Sequence, residues 1–188
     1  MRNKKKTDVR QLVYTALFAA LIVVFSQLQI PLPGLVPISL ATFGVMMAGL
    51  LLGWQWGGAA VAVYLLLGAV GAPVFAGFKG GFGALLGVTG GYIVGFLFTA
   101  LVVGLASERW GRKLKVLVPA MILGILLCYA FGTAWFVLVY TKNSGPIGVG
   151  TALGWCVLPY IPADAAKLLL ASLLSVRLYP LVGRRPTT

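Results

Sequence analysis

The sequence predicts an all-α integral membrane protein, a bundle of six transmembrane helices with both termini on the cytoplasmic side. Three observations predict this fold class: an apolar composition, several apolar stretches long enough to cross a bilayer, and basic clusters that recur between those stretches. The 188 residues are 60% hydrophobic and only 10% charged, with a mean hydropathy of +1.00. Soluble domains carry about 25% charged residues. A chain this apolar cannot cover a water-facing surface, so its solvent must be mostly lipid.

Six apolar stretches are predicted to cross the membrane, with turn residues or charges between them. The run Pro31-Leu32-Pro33-Gly34 ends the first stretch, because proline cannot continue a helix and glycine permits tight turns. The third stretch is shorter than a full crossing of roughly 20 residues, so we expect it to merge with the aromatic turn at 54–57. A polar loop is predicted at 141–150, and the tract 151–161 is expected at the membrane edge. The predicted spans are residues 11–30, 38–53, 58–70, 84–106, 116–140 and 162–181.

Basic residues cluster at three places that all fall on one side of a six-span bundle. Because basic residues are retained on the cytoplasmic side, this pattern predicts cytoplasmic termini. Residues 1–10 are then a basic N-terminal segment of a single transmembrane domain (1–188). The loss of one crossing before residue 107 would divide the clusters between the two sides. The clusters are Arg2, Lys4, Lys5, Lys6 and Arg10; Arg109, Arg112, Lys113 and Lys115; and Arg177, Arg184 and Arg185.

The first span follows a basic segment and so imitates a secretory signal peptide. The apolar core of a signal peptide is only about 7–15 residues long. Here the apolar run continues from Leu12 to Ile30, and further spans follow it. We therefore expect a retained first helix and a multi-pass protein of the cell membrane, embedded in the lipid bilayer.

The set of chemically reactive residues is small and excludes several functional classes. The chain has no histidine, and its acids are limited to Asp8, Glu108 and Asp164. Histidine is the commonest general base and metal ligand, so hydrolytic or metal-dependent catalysis lacks its usual residues. The phosphate-binding pattern G-x-x-x-x-G-K-[ST] is absent, and Cys128 and Cys156 lie in apolar stretches without metal-site spacing. We expect no enzyme activity, no metal and no cofactor. The net charge of +12 is assigned to membrane topology, not to nucleic-acid binding.

Asp164 and Lys167 form the most informative polar pair. They lie three residues apart at the start of span six, so both project from one face of the helix. Ionisable residues within a span are costly and usually face a cavity or a partner. A structural interpretation stays open, because an acid in the first turn is favoured by the helix dipole and a lysine near a helix end can reach the interface. Few charged residues are nevertheless predicted for the outer half of the protein, and Asp164 and Lys167 are two of them.

The stretch 71–83 is predicted to cap or line a cavity. It is too rich in glycine for a stable helix and too apolar for a solvated loop. Irregular backbone at membrane depth is tolerated only against protein or a cavity. Within it, Lys79 lies among Phe75, Phe78 and Phe82, where its ammonium group is placed either to meet an anionic ligand group or to point into water.

Small residues recur at four-residue spacing in two predicted spans. Ala16 and Ala20 lie one turn apart in span one, and Gly87, Gly91 and Gly95 follow one another in span four. Small residues at this spacing let helix backbones approach closely in lipid. The glycines are interpreted as packing positions within the bundle. For the alanines, internal packing and a docking face for a separate membrane subunit stay open.

Two stretches carry a resemblance to a known family. The first, residues 71–96, reads GAPVFAGFKGGFGALLGVTGGYIVGF, and the second, residues 159–167, reads PYIPADAAK. Both resemble the corresponding stretches of BioY, the biotin-specific substrate-binding subunits of energy-coupling-factor transporters, and the resemblance covers essentially the whole chain. Two positions depart from the family pattern: Val88 replaces a proline, and Lys79 stands where a smaller or neutral residue is usual.

The resemblance implies a function and a set of partners. Such subunits bind biotin from outside and associate with a transmembrane coupling protein and two ATPase subunits, which drive release into the cytoplasm. ATP would be used by those subunits and not by this chain. The resemblance implies that Ala16 and Ala20 face the coupling protein, and that Asp164 and Lys167 match polar positions near the ligand. We predict that Gly81 and Tyr92 of the 71–96 motif, as well as Lys79, belong to the same substrate site.

The chemistry of biotin fits these side chains. Its ureido ring offers two N–H donors and a carbonyl acceptor. A carboxylate such as that of Asp164 accepts from N–H groups, and the Lys167 ammonium donates to the ring carbonyl or to the valerate carboxylate. Phe75, Trp135 and Tyr160 are predicted to pack on the bicycle and tail. We expect a site near the outer face, roofed by residues 31–37 and 71–83 and floored by spans four to six.

Three alternatives stay open at this point. One is a related subunit for another vitamin, such as thiamine or riboflavin, which competition binding would distinguish. Another is a self-sufficient facilitator that needs no ATPase subunits. The third, an intramembrane enzyme, would need a nucleophile–base pair or metal ligands within the spans, which this sequence does not offer.

Overall fold

A computed structural model of the protein describes residues 9–30 and 36–182, with side chains as far as Pro180. The elements are almost all helical. In chain order they are α1 (Val9–Gln27), the antiparallel strands β1 (Gln29–Ile30) and β2 (Ile38–Ser39), α2 (Ala41–Ala69), α3 (Phe82–Leu86), α4 (Gly90–Arg109), α5 (Leu114–Ser144), α6 (Val149–Cys156), a 3₁₀ turn (Leu158–Tyr160) and α7 (Ile161–Val182).

Five helical segments among the described residues are long and apolar enough to cross a membrane. They are α1, α2, α4, α5 and the segment Val149–Pro180, which joins α6 to α7. The predicted class, an all-α multi-pass membrane protein, is therefore confirmed. Most of the basic segment 1–10, the loop predicted at 31–34, and Arg184 and Arg185 lie outside the described residues.

Helix α2 folds back on itself at Gly53. Gly53 has φ +80° and ψ −177°, a conformation open almost only to glycine. A β-carbon on Gly57 would lie 2.6 Å from the carbonyl oxygen of Ala48. In a straight helix, nine residues separate two such positions by about 13.5 Å. The two arms of α2, 41–52 and 54–69, therefore run in opposite directions. The aromatic turn predicted at 54–57 belongs to the second arm, because Gly53 alone makes the reversal.

One end of the bundle gathers the reversal at Gly53, the loop between α4 and α5, and the end of α7. The Glu108 carboxylate lies against Gly53. In the loop, the Arg112 guanidinium stacks 3.1 Å from the ring centre of Tyr179 on α7. Burial lowers the pKa of Arg112 to about 10, and Glu108 opposes that shift. The opposite end holds the strands and the loop at 71–81, so Arg10, at the start of α1, lies at the same end as Arg112.

Helix α4 occupies the centre of the bundle, between α2 and α5. Glycines let α5 approach it closely: Gly91 lies against Trp135, and a β-carbon on Gly95 would come within 2.8 Å of the sulfur of Cys128. Thr99 bonds across to the carbonyl oxygen of Gly124 at 2.9 Å. The prediction that the glycines of span four serve packing inside the bundle is confirmed for Gly91 and Gly95, whose partner is α5. Gly87 lies between α3 and α4, and a β-carbon there would meet carbonyl oxygens of α3.

Several predicted boundaries shift in the structure. The span predicted at 84–106 is divided, because residues 87–89 separate α3 from α4. The loop predicted at 141–150 is shorter than expected. Helix α5 continues to Ser144, where Gly145, with φ +104°, ends it, and α6 begins four residues later. The tract predicted at the membrane edge forms α6 and the 3₁₀ turn.

Candidate functional site

A loop between α2 and α3, residues 71–81 and here called the lid loop, closes over a small cavity. Phe75 is 1% exposed and packs edge-on against Tyr64, with ring centres 5.4 Å apart. The Phe75 ring also covers Gly68, where a side chain would collide with it. The amide of Phe75 donates to the carbonyl of Lys79 at 2.9 Å, and the reverse bond is 3.2 Å. The lid loop is thus a tight hairpin whose apolar side faces the bundle, as the sequence predicts for this stretch.

The cavity below the lid loop is enclosed by aromatic and small side chains from several elements. Its volume is about 60 Å³, far less than the roughly 300–1,000 Å³ of ordinary ligand sites. A vitamin-sized molecule therefore requires the lid loop to open or the walls to separate. The lining residues are Ser26, Val36, Pro37, Ser39, Ala41, Tyr64, Phe75, Ala76, Lys79, Ala84, Thr89, Tyr92, Ile93 and Phe96.

Asp164 and Lys167 form a buried ion pair in the first turns of α7. The Lys167 ammonium lies 2.7 Å from a carboxylate oxygen of Asp164, and both residues are 5% exposed. Both side chains are thus buried in the bundle. Placing two charges in a low-dielectric interior costs free energy that only close pairing and further hydrogen bonds offset.

Hydroxyl groups from two other helices complete the hydrogen bonding of the pair. Thr42, at the start of α2, accepts from the Lys167 ammonium at 3.1 Å and donates to Asp164 at 3.3 Å. Tyr129 of α5 donates to the other carboxylate oxygen of Asp164. The carboxylate therefore receives hydrogen bonds from α2, α5 and α7, which ties together three helices that are distant in sequence.

The ion pair and the cavity share walls without being in direct contact. Ala41 lines the cavity, and the next residue, Thr42, bonds to both charges. Tyr92 lines the cavity, and its hydroxyl is 2.9 Å from that of Thr133, one turn along α5 from Tyr129. Residues next to each other on α2, and one turn apart on α5, thus connect the cavity lining to the charged pair.

Asp164 and Tyr129 also line a second hollow, a groove of about 440 Å³ between α5 and α7. Its remaining walls are apolar, and Ile122, Leu126 and Leu169 at its rim are about half exposed. In a bilayer such a rim faces lipid tails. Asp164 is thus buried but also forms part of the wall of this groove, whereas Lys167 does not line it.

The other predicted substrate residues take different positions. Tyr160 donates to the carbonyl of Val36, which lines the cavity. Trp135 of α5 donates to the carbonyl of Gly87 at 3.0 Å and packs against Gly91 of α4. It is not among the residues that line the cavity. Gly81, with φ +85°, bonds to the carbonyl of Gly68 at 2.7 Å and anchors the end of the lid loop. Lys79 lines the cavity mouth but is largely exposed.

The predicted partner face on α1 is exposed. Ala16 and Ala20 both face outward, next to Val13, Leu17 and Val24, which are each at least half exposed. Phe18 and Ile22 on the other side of α1 are buried in the bundle. The alanines therefore do not serve packing inside this chain, and their role as a docking face stays a prediction.

Four residues with polar contacts around the site were not predicted: Ser26, Gln27, Thr42 and Tyr129. Each is a polar residue in or next to an apolar stretch, and such residues usually face protein in a membrane bundle. That signal marks them as inward-facing. It does not reveal their partners, because Thr42 and Asp164 are 122 residues apart in sequence.

The arrangement suits recognition of a small polar molecule with an apolar body. It offers a carboxylate acceptor, an ammonium donor and hydroxyl groups, surrounded by aromatic and aliphatic walls. The groups that surround Asp164 are hydrogen-bonded to it.

Comparison with known proteins gives consistent matches over the whole chain. The family model described as the BioY family matches residues 1–184. A protein of Thermotoga maritima named "Biotin transporter BioY" is 39% identical over 177 residues, which cover 94% of this chain and 100% of that protein. A Rhizobium etli protein of the same name is 36% identical over 191 residues, covering 95% and 99% of the two chains.

A solved structure extends the match from sequence to architecture. The crystal structure at 2.1 Å of the S-component for biotin from an ECF-type ABC transporter superposes with a TM-score of 0.82 at 31% sequence identity. The match covers 98% of this chain and 100% of that chain. On the match to the family model and to full-length relatives, this chain belongs to the BioY family.

Proposed function

We propose that this chain is the biotin-binding subunit of an energy-coupling-factor transporter and captures biotin from outside the cell. The observation that carries the proposal is the buried Asp164–Lys167 pair, held by Thr42 and Tyr129 beside a cavity with apolar walls. The names of the relatives support biotin as the ligand, since both are named as biotin transporters. The chain is accordingly a transport subunit and not an enzyme.

Biotin is bound by its polar ring and its apolar tail in different ways. The ureido N–H groups donate to Asp164 and the ureido carbonyl accepts from Lys167, which are charge-assisted bonds of the stronger kind. Phe75 and Tyr92 pack against the bicycle beneath the lid loop. Ion pairing in the free protein keeps both charges satisfied until the ligand replaces part of that pairing.

The proposed topology has six crossings, in which each arm of α2 crosses separately. The supporting observation is the reversal at Gly53, which turns the five long helical segments into six passes. The end that carries Arg10, Arg112 and Arg177 is then cytoplasmic by the positive-inside rule. The lid loop and the candidate site face the outside, where biotin arrives.

Delivery across the cell membrane depends on partners. The exposed face at Ala16 and Ala20 docks the transmembrane coupling protein, and two ATPase subunits hydrolyse ATP. This chain itself binds no cofactor. In proteoliposomes, biotin uptake should require the coupling protein and the ATPases. Uptake by this chain alone would favour a facilitator instead.

The direct test is isothermal titration of the purified, detergent-solubilised chain with biotin, thiamine and riboflavin. We expect one biotin per chain and no heat with the other vitamins. Saturable binding of thiamine or riboflavin, with none of biotin, would contradict the proposed ligand while leaving the fold unaffected.

A further inference from the structure

Gln27, the last residue of α1, is bonded to the lid loop by its side-chain amide. Its amide nitrogen donates to the carbonyls of Val74 and Phe75 at 3.0 and 3.1 Å, and its oxygen accepts from the amide of Phe78 at 3.0 Å. The neighbouring Ser26, which is fully buried, donates to the same Val74 carbonyl at 2.5 Å. The Gln27 side chain thus uses both the NH2 and the carbonyl of its amide group, as the backbone of a neighbouring strand would.

The lid loop is attached differently at its base and at its tip. At the base, Gly81 bonds to Gly68 and the Phe75 ring packs on α2, so the base moves with that helix. At the tip, Phe78 has φ +56°, and among the described residues it is the only non-glycine with a positive φ. This conformation is unfavourable for phenylalanine and persists only when the surroundings hold it. Two sets of contacts surround it: the paired backbone bonds between Phe75 and Lys79, and the bond from the Phe78 amide to Gln27.

We infer that Gln27 is a positioning residue that keeps the lid loop closed over the ligand cavity. It reaches the loop at Val74, Phe75 and Phe78, on both sides of the cavity-lining Ala76. Closure already exists in the structure, where the cavity is only about 60 Å³. On this inference the lid loop is the part that opens for the ligand, and opening requires the bonds to Gln27 to break. This inference rests on the proposed function for its ligand, but the closure itself does not depend on which molecule binds.

Removing such a latch has a kinetic signature that differs from the loss of a ligand contact. The inference places the latch in both the free and the bound protein, so its loss should make opening easier in both states. Association and dissociation should then both become faster, and the dissociation constant should change less than either rate. A residue that touches the ligand instead changes mainly the dissociation rate.

The informative variant is Gln27→Glu, which keeps the size and the acceptor but loses both N–H donors. It also sets a carboxylate oxygen against the carbonyls of Val74 and Phe75. A second variant, Gln27→Met, removes all three bonds at similar length and serves if the first does not fold. The matched control is Gln55→Glu, the same change at an exposed position at the opposite end of the bundle.

Two measurements test the inference. The first is hydrogen–deuterium exchange of the lid-loop amides without any ligand, and the second is stopped-flow binding of biotin. For the Gln27 variants we expect amide exchange at 74–79, and both biotin rate constants, to rise about tenfold or more. Tenfold corresponds to about 1.4 kcal/mol, within the range for losing two hydrogen bonds. The control should match the wild type.

Three results for the Gln27 variants would overturn the inference. The first is amide exchange in the lid loop at the wild-type rate, and the second is faster exchange with unchanged rate constants for biotin. The third is a rise in the biotin dissociation rate without a rise in the association rate. If the wild-type chain binds no biotin, the proposed function fails. The exchange measurement then decides the role of Gln27 by itself, since it needs no ligand.

Discussion

Burial of Asp164 and Lys167 removes both charges from water, which costs free energy. Each side chain depends on the other and on the hydroxyl groups of Thr42 and Tyr129 for its polar contacts. Apolar residues of similar size would fill this space with less penalty. The proposed function accounts for the two charges, because biotin needs both an acceptor and a donor.

Substitution of either charge should weaken biotin binding by more than tenfold, about 1.4 kcal/mol. For Asp164→Asn the ureido N–H groups lose an anionic acceptor, and for Lys167→Met the ureido carbonyl loses an ammonium donor. Isothermal titration in detergent measures both. Unchanged affinity in both variants would remove the pair from the binding site.

A double variant, Asp164→Asn with Lys167→Met, separates binding from stability. Each single change leaves an unpaired buried group, which typically costs about 3–5 kcal/mol, whereas removal of both charges is often neutral. We expect the apparent Tm of the double variant to return towards the wild type while biotin affinity stays low. Recovery of both would mean that the pair serves only the fold.

At this scale the sequence predicts the pair but not its surroundings. The three-residue spacing of Asp164 and Lys167 on one helix implies contact through local geometry alone. Tyr129 lies 35 residues from Asp164, and Thr42 lies 122 residues away. Which hydroxyl groups meet the carboxylate depends on how α2, α5 and α7 pack, and no local pattern contains that information.

Helix α4 shows how much of an element is encoded locally. The four-residue spacing of Gly87, Gly91 and Gly95 predicts a flat face for close packing, and the structure places Gly91 and Gly95 against α5. Gly87 instead lies in the segment between α3 and α4. The partner helix could not be predicted, because several spans offer complementary small residues. The sequence predicts the turn at 54–57, whereas the reversal is at Gly53, since Trp54 and Trp56 resemble interface residues but are compatible with a helix.

Gly95→Ala should lower the stability of the α4–α5 contact. Its β-carbon would come 2.8 Å from the sulfur and 3.2 Å from the Cα of Cys128, so the helices must separate. Overpacking of this kind costs about 1–3 kcal/mol, measured here as a lower apparent Tm in detergent. The control is Gly154→Ala in α6, where nothing lies within 4 Å.

The control should leave the apparent Tm unchanged or slightly raised, because alanine favours a helix more than glycine does. Equal effects of the two substitutions would show that α4 and α5 are not closely packed in the bilayer-extracted protein.

The whole molecule is asymmetric between its two ends. One end carries Arg10, Arg112 and Arg177 around the Gly53 reversal, and the other carries the lid loop and the loop between α5 and α6. The sequence predicts this arrangement, because six passes return the chain to its starting side and place all three basic clusters there. The sequence could not supply the degree of closure of the lid loop, which depends on contacts between α1 and residues far along the chain.

Cysteine labelling tests the topology. In a variant with Cys128 and Cys156 replaced by alanine, single cysteines at Gln55, Lys113 and Lys142 are exposed to a membrane-impermeant maleimide in intact cells and in inverted vesicles. We expect Gln55→Cys and Lys113→Cys to react only in inverted vesicles and Lys142→Cys only in intact cells. If α2 crossed as one straight helix, Gln55 would lie within the bilayer and react in neither.

The structure of the complex with biotin tests the central claim most directly. The account predicts density for biotin beneath the lid loop, with ureido nitrogen and oxygen atoms within hydrogen-bonding distance, about 2.7–3.2 Å, of the Asp164 carboxylate and the Lys167 ammonium. Biotin bound elsewhere, with the Asp164–Lys167 pair still closed on itself, would contradict it.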